Sequence, residues 1–340
     1  MHSHHTTSKG AIAIVGGESL LGKEVRDLLE STDLRAGVTL IASDESEDSS
    51  VISIRRDEPE IMTSLQASDL SAARVVVLAG SQEASRKLFE QIHRDAPGAV
   101  VVDVTDALED RAEARLRAPI VDSPHSDALS PIQVIAHPAA TALALFLTEL
   151  QKTAEIRQSV VLVFEPVSER GQAGIDELQK QTVGLLSFKP LPKDLYDAQI
   201  SFNMLSQYGS DAPQSLGAIE QKIDRHLASL LARAGSVPMP SLRLIQAPVF
   251  HGYSMSLWIE FENNPEIETI QRGLASSHID VRTSEHEPPT NVGVAGQNGI
   301  TVGSIAIDRN HPRASWFWLV ADNLRIAAQN AVGVIREVVQ

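Results

Sequence analysis

The sequence predicts an α/β protein in which a doubly wound, parallel-sheet domain is followed by a second domain built on an antiparallel or mixed sheet. Three observations predict it. Short β-rich apolar runs alternate with amphipathic segments over the first 137 residues, a glycine turn joins the first run to the first amphipathic segment, and longer alternating runs take over after Pro138. At 340 residues the chain is too long for one simple core and can bury two.

The first domain reads off in order. The runs "AIAIV" (11–15), "VTLIA" (38–42), "RVVVLAG" (74–80) and "GAVVVDV" (98–104) suit strands buried on both faces of a parallel sheet. Between them "SLLGKEVRDLLES" and "EASRKLFEQIHRD" carry apolar residues three and four apart, as helices covering a sheet do. The stretch "QVIAHPAATALALFL" (133–147) predicts a buried strand that turns through His137 and Pro138 into an apolar helix reaching Leu150. His137 would cap that helix or line a cleft, and capping is favoured.

After that helix the texture changes. A strand is predicted over "QSVVLVFEPV" (158–167), then a helix over "AGIDELQKQTVGLL", a loop-rich middle, and strands around "SLRLIQAPVF" and "YSMSLWIEFE". "SWFWLVADNLRIAAQNAVGVIREVV" closes the chain with a strand and a helix, and Trp316, Phe317 and Trp318 alternate along that strand as core and interface residues. No internal repeat or low-complexity linker interrupts the pattern.

Composition excludes several classes of function. With 29 basic against 44 acidic residues the net charge is −15, which repels nucleic acid and anionic lipid. No apolar run reaches the roughly 18 residues of a membrane span, and "MHSHHTTSKG" lacks the regions of a secretion signal, so a cytoplasmic location is expected. The chain has no cysteine, hence no disulfide, thiolate ligand or thiol nucleophile. His2, His4 and His5 read as part of a disordered tail, and no metal site is expected.

The turn "IAIVGGESLLGKEV" follows the first strand and opens the first helix, where a glycine-rich loop can present N–H groups to a pyrophosphate. Gly16 and Gly22 hold the first and third glycine positions, with Ser19 at the middle one. The plainer reading is a tight turn without a ligand. Glu18 favours it, since a carboxylate in a phosphate loop is electrostatically wrong. After the second strand, Asp44, Glu45, Glu47 and Asp48 disfavour the 2′-phosphate of NADP and leave room for NAD.

The βαβ opening, "VVLAGS", "AVVVD", "VSERGQAGIDELQKQT", "FNML", "APVFHGYSMSL" and above all "WLVADNLRIAAQNAV" resemble, in order and over the full length, the aspartate-semialdehyde dehydrogenase family. The resemblance implies a Rossmann-like NAD(P)-binding domain and an α+β dimerisation and substrate domain. Boundaries are expected at 1–137, completed by the C-terminal helix 322–340, and at 138–321. Members of the family reduce a phosphorylated aspartyl group to the semialdehyde, through a cysteine thioester and a nicotinamide cofactor, in amino-acid biosynthesis.

Carried over one position at a time, the reactive residues are replaced. The catalytic cysteine of an N-P-N-C-S/T turn becomes Ala140 in "HPAAT", preceded by Ala139. The orienting glutamine of Y-Q-A-V-S-G becomes Glu165, and the acid/base histidine of R-G-H-S becomes Tyr253. The two arginines that grip the substrate's anionic groups become Glu109 and Gln246, and the glutamate for its amino group falls at His226. Gly16, Gly22, Gly80 and Asn330 survive on the cofactor side, with Ser19 in the glycine turn.

The resemblance therefore implies a divergent, cysteine-less and catalytically inactive paralogue: a homodimer, with an unidentified protein or small-molecule partner left open. The alternative is an NAD-dependent oxidoreductase acting on an aldehyde or other small substrate, with Tyr253 or Glu165 moving the proton. Glu165, His226, His251 and Tyr253 map near one cleft, and a relict cluster of mutually satisfied groups is the commoner outcome there.

Overall fold

The computed structural model describes residues 11–42, 50–55, 58–64, 70–122, 130–263 and 265–339, and the chain divides into two units. The first takes in the described residues through Pro119, those from 130 to 136, and those from Ala327 on; the second holds Ile120–Asp122 and His137–Ile326. The early histidines and the acidic run from Asp44 to Asp48 lie outside the described residues.

In the first unit the elements run β1 (Ile12–Val15), α1 (Leu20–Glu30), β2 (Val38–Ala42), β3 (Ser50–Arg55), β4 (Glu58–Ser64), β5 (Val75–Leu78), α2 (Gln82–Asp95), β6 (Val100–Asp103), β7 (Ala114–Arg117) and β8 (Ile132–Ile135). The strands form one sheet in the order β3-β4-β2-β1-β5-β6-β8-β7, parallel except for the β3/β4 pair. β1, β5 and β8 are buried along their whole length, as apolar runs without alternation require. One face packs against Leu88, Phe89 and Ile92 of α2; the other meets Val25 and Leu29 of α1 and Ala331, Val334 and Ile335 near the C-terminus. Helices on both faces make the sheet doubly wound. The strand order reverses between β1 and β5, which places the glycine turn at the switch point.

The second unit contains α3 (Pro138–Thr153), β9 (Ile156–Glu165), α4 (Gly171–Leu186), α5 (Leu216–Ala234), β10 (Ser241–Gln246), β11 (Tyr253–Phe261), α6 (Ile267–Leu274), β12 (Ile279–Val281), β13 (Ile300–Ile307) and β14 (Ala314–Ala321), and α7 (Asn323–Val339) leads out of it. Its sheet is mixed, in the order β10-β9-β11-β14-β13-β12, with β9/β10 and β12/β13 parallel and the rest antiparallel. Burial alternates along β9 from Ser159 and along β11 from Met255: Val161, Val163, Met255, Leu257, Ile259 and Phe261 are buried, while Val160 and Leu162 are exposed on the other face. α3 is apolar all round and buried from Ala139 to Leu147, a core helix whose Phe146 meets Phe317 edge-on at 5.3 Å.

The expected loop-rich middle also holds a helix that the reading missed, α5, which occupies 19 residues of it. Its Leu216, Ile219, Ile223, Leu227 and Leu230 recur at helical spacing, but the proline- and glycine-bearing segments on either side mask the period. His251 does not share a strand face with Tyr253 either: β11 begins at Tyr253, after Gly252 turns the chain at φ +82°. The strands β3, β4, β7, β12 and β13 and the helix α6 are further elements that the run-by-run reading passes over.

Candidate functional site

In the first unit the structure brings Gly16, Ser19, Gly22 and Gly80 together. Gly16 sits at φ +84°, and a Cβ there would lie 2.3 Å from the Gly80 nitrogen; one on Gly22 would lie 2.2 Å from the Gly16 carbonyl oxygen. The glycines are thus required by close backbone contact. Ser19 caps α1 by accepting the Gly22 N–H at 2.9 Å, and its hydroxyl donates to the Ala79 carbonyl at 2.6 Å. Gly16 N–H and Gly17 N–H donate to the Ile41 carbonyl, and Ser19 N–H to that of Gly16. Four N–H groups of the turn are therefore engaged within the chain. Asn330 is fully buried on α7 in the same unit, and Glu109, half-buried, lies there too.

The remaining candidates lie in the second unit. Ala140 stands in the first turn of α3, fully buried along with Ala139. His137 is the N-cap, its Nδ1 accepting the Ala139 N–H at 3.3 Å. Its Nε2 lies 3.7 Å from Glu169 Oε2, and its backbone N–H donates to Nδ1 of His226 on α5 at 2.9 Å. Burial, helped by His226, Lys222 and Arg170, holds the His137 imidazole well below its usual pKa, so it is neutral at pH 7. Asn323 joins the group, donating to Glu169 Oε1 at 2.7 Å and accepting from Ser168 Oγ and the Gly252 N–H.

Glu165 and Gln246 end β9 and β10 and are partners in the parallel register. The Glu165 carboxylate, 1 % exposed, meets the Arg170 guanidinium at 3.3 Å. Burial pushes this carboxyl up, and Arg170, then Tyr208, pull against it. Burial opposes the charge on Arg170, but Glu165 and the Tyr208 and Tyr196 phenols outweigh it, so the guanidinium stays charged. Arg170 also donates to Gln214 at 2.7 Å. Gln246 is saturated: its oxygen accepts the Tyr208 hydroxyl at 2.6 Å, and its nitrogen donates to the Glu165 and Ala247 carbonyls.

Tyr253, which opens β11, is fully buried, and its ring stands 6.0 Å from that of His137. Its hydroxyl makes no hydrogen bond to a described residue, and burial raises its pKa well above the usual phenol value, with Glu169 and Glu165 adding to the shift. Among the described residues no group of three His, Asp or Glu could hold a metal ion, and no helix is long and apolar enough to cross a membrane. The sequence reading missed Arg170, Tyr208, Gln214, Glu169 and Asn323, which complete the network. Only the "SER" at 168–170, separated by two residues from the end of β9, hinted at them.

Residues 147–326 match the family model for the semialdehyde dehydrogenase dimerisation domain. A USG-1 protein homologue from Pseudomonas aeruginosa is 30% identical over 334 residues, covering 94% of this chain and 95% of the relative. An aspartate-semialdehyde dehydrogenase from Rickettsia bellii is 24% identical, covering 98% of this chain and 99% of that one. A solved structure described as a probable aspartate-semialdehyde dehydrogenase from Pseudomonas aeruginosa superposes with a TM-score of 0.83 at 27% identity, over 98% of this chain and 99% of that chain. Aspartate semialdehyde dehydrogenase II from Vibrio cholerae, at 22% identity over 98% and 99% of the two chains, shares the fold with a TM-score of 0.81.

Proposed function

Since the chain belongs to the aspartate-semialdehyde dehydrogenase family, we propose that it is a homodimeric member that keeps the fold and has given up the thioester chemistry. One observation carries the reading: the chain has no cysteine, and Ala140, which the resemblance aligns with the nucleophile, is a buried methyl group in the first turn of α3. A methyl group forms no acyl intermediate.

The neighbouring replacements agree with it. Tyr253, with its raised pKa, is a poor base at neutral pH, and the Gln246 amide is consumed by its own surroundings. Glu165 is held by Arg170, and Glu109 offers an anion repulsion in place of a cation. Losses of acid/base and of charge-stabilising groups each remove roughly 10²-fold or more in rate. NADP is disfavoured by Glu18 and the acidic run after β2, and NAD meets less opposition.

The test is an assay of aspartate semialdehyde with phosphate and each nicotinamide cofactor, alongside calorimetric titration with NAD and NADP. No turnover and no micromolar NADP binding are expected. Turnover above background would overturn the proposal.

A further inference from the structure

Around the Glu165–Arg170 pair, three buried polar atoms have no hydrogen-bond partner among the described residues: Glu165 Oε2, the Tyr253 hydroxyl and the Tyr196 hydroxyl. The register brings the first two side by side. Ser254 of β11 pairs with Phe164 of β9, so Tyr253 and Glu165 stand one step further along the same strands, in phase with the buried Met255 and Val163. Tyr196 adjoins them through Tyr208: the two rings meet edge-on at 5.1 Å, and Tyr208 bonds Gln246, the register partner of Glu165 on β10. The surroundings are otherwise well bonded, with Gln246 saturated and Arg170 donating to Glu165 and Gln214. Each bare atom keeps a desolvation cost that no contact within the chain offsets.

We propose that these three atoms form a binding site for a small neutral molecule bearing a primary carboxamide. The proposal rests on the reading of a member without thioester chemistry and deepens it, by naming the class of molecule its site takes. Charge selects the class first. An anion meets a guanidinium already bonded to Glu165 and Gln214, with the Glu165 and Glu169 carboxylates close to Tyr253 adding repulsion. An ammonium would be buried beside Arg170 and Lys222, both of which already act on Glu165. A neutral group avoids both costs. Hydrogen bonding then selects within the neutral groups. Burial raises the pKa of both phenols, so each keeps its proton and can donate to an acceptor oxygen. Glu165 Oε2, on a carboxylate paired with Arg170, accepts and calls for an N–H. A carboxamide carries both, a carbonyl oxygen with two lone pairs and an NH2 group, in one plane. A hydroxyl would have to meet all three atoms through a single oxygen, although they come from the end of β9, the start of β11 and the segment after α4.

Thermal shift and saturation-transfer NMR on the full chain test this at millimolar concentrations of propionamide, propionate, propylamine and 1-propanol, probes of nearly one shape. Propionamide should raise the thermal midpoint and bind at least tenfold more tightly than the other three. Tyr253→Phe keeps the ring and removes the hydroxyl, so affinity for propionamide should fall tenfold or more. Its ligand-free midpoint should hold or rise, because one bare buried atom is gone, whereas a hydroxyl with a purely structural role would lower it. If that variant does not fold, Tyr196→Phe replaces it, with a severalfold loss of affinity expected. No binding of any probe, or equal binding of propionamide and 1-propanol, overturns the carboxamide site, and so does unchanged affinity in the folded variant. Turnover of aspartate semialdehyde by the wild type would instead overturn the reading on which the proposal rests.

Discussion

Glu165 and Arg170 form an ion pair at 3.3 Å across the end of β9 and the turn before α4, and the carboxylate is almost entirely removed from water. Removing one partner of such a pair strands the other. Arg170→Ala should therefore lower stability by about 3 kcal/mol or more, while the double variant Glu165→Gln, Arg170→Met recovers much of the loss. Urea unfolding of both decides it; a loss below about 1 kcal/mol in Arg170→Ala would mean that the pair is solvated.

The His137 imidazole stays neutral in the fold because burial depresses its pKa, whereas in the unfolded chain it titrates near ~6.5. Above that value both states are neutral. As pH falls below it, only the unfolded state takes up the proton, so stability drops. His137→Asn keeps an N-cap acceptor and removes this term. Between pH 7.5 and 5.5 wild type should lose about 1 kcal/mol more than the variant. Equal losses in the two would show that His137 is protonated in the fold.

Restoring the sulfur should not restore the reaction. Ala140→Cys places a thiol at a helix start, where the dipole favours the thiolate. On the proposed reading the anion clamps remain absent at Glu109 and Gln246, and Tyr253 remains a weak proton acceptor. We expect Ala140→Cys, alone or with Tyr253→His, to give no cofactor reduction with aspartate semialdehyde and phosphate. Measurable turnover by the single variant would require withdrawal of the inactive reading.

The glycine turn should tolerate no methyl group. Gly16→Ala and Gly22→Ala each place Cβ within 2.3 Å of backbone, and Gly16 additionally needs its φ of +84°. Each should cost more than about 2 kcal/mol. Gly98→Ala, with nothing within 4 Å, should stay within about 0.5 kcal/mol of wild type. Comparable thermal midpoints for all three would show that the backbone approach at Gly80 relaxes freely.

Much of the fold was legible because burial imposes a pattern on neighbouring residues. The runs of β1, β5, β6 and β8 announce a parallel sheet, and the change to alternation in β9 and β11 announces a sheet with one covered face. The absence of any cysteine was equally legible, since it is a fact of composition. α5 was not, because its period lies between segments that read as loop.

Partnership was decided only in three dimensions. Nothing in the chain order tells that Tyr208 would reach Gln246, that His226 would accept the His137 N–H, or that Trp258 and Trp316 would share the Asp308 carboxylate. Nor does it tell that the turn's N–H groups would be bonded at home. Periodicity reports which face of an element leaves water, because that depends on residues a few positions apart. Hydrogen bonds and ion pairs depend on atoms within about 3 to 4 Å, and chain segments distant in sequence come that close only once the tertiary structure has packed them.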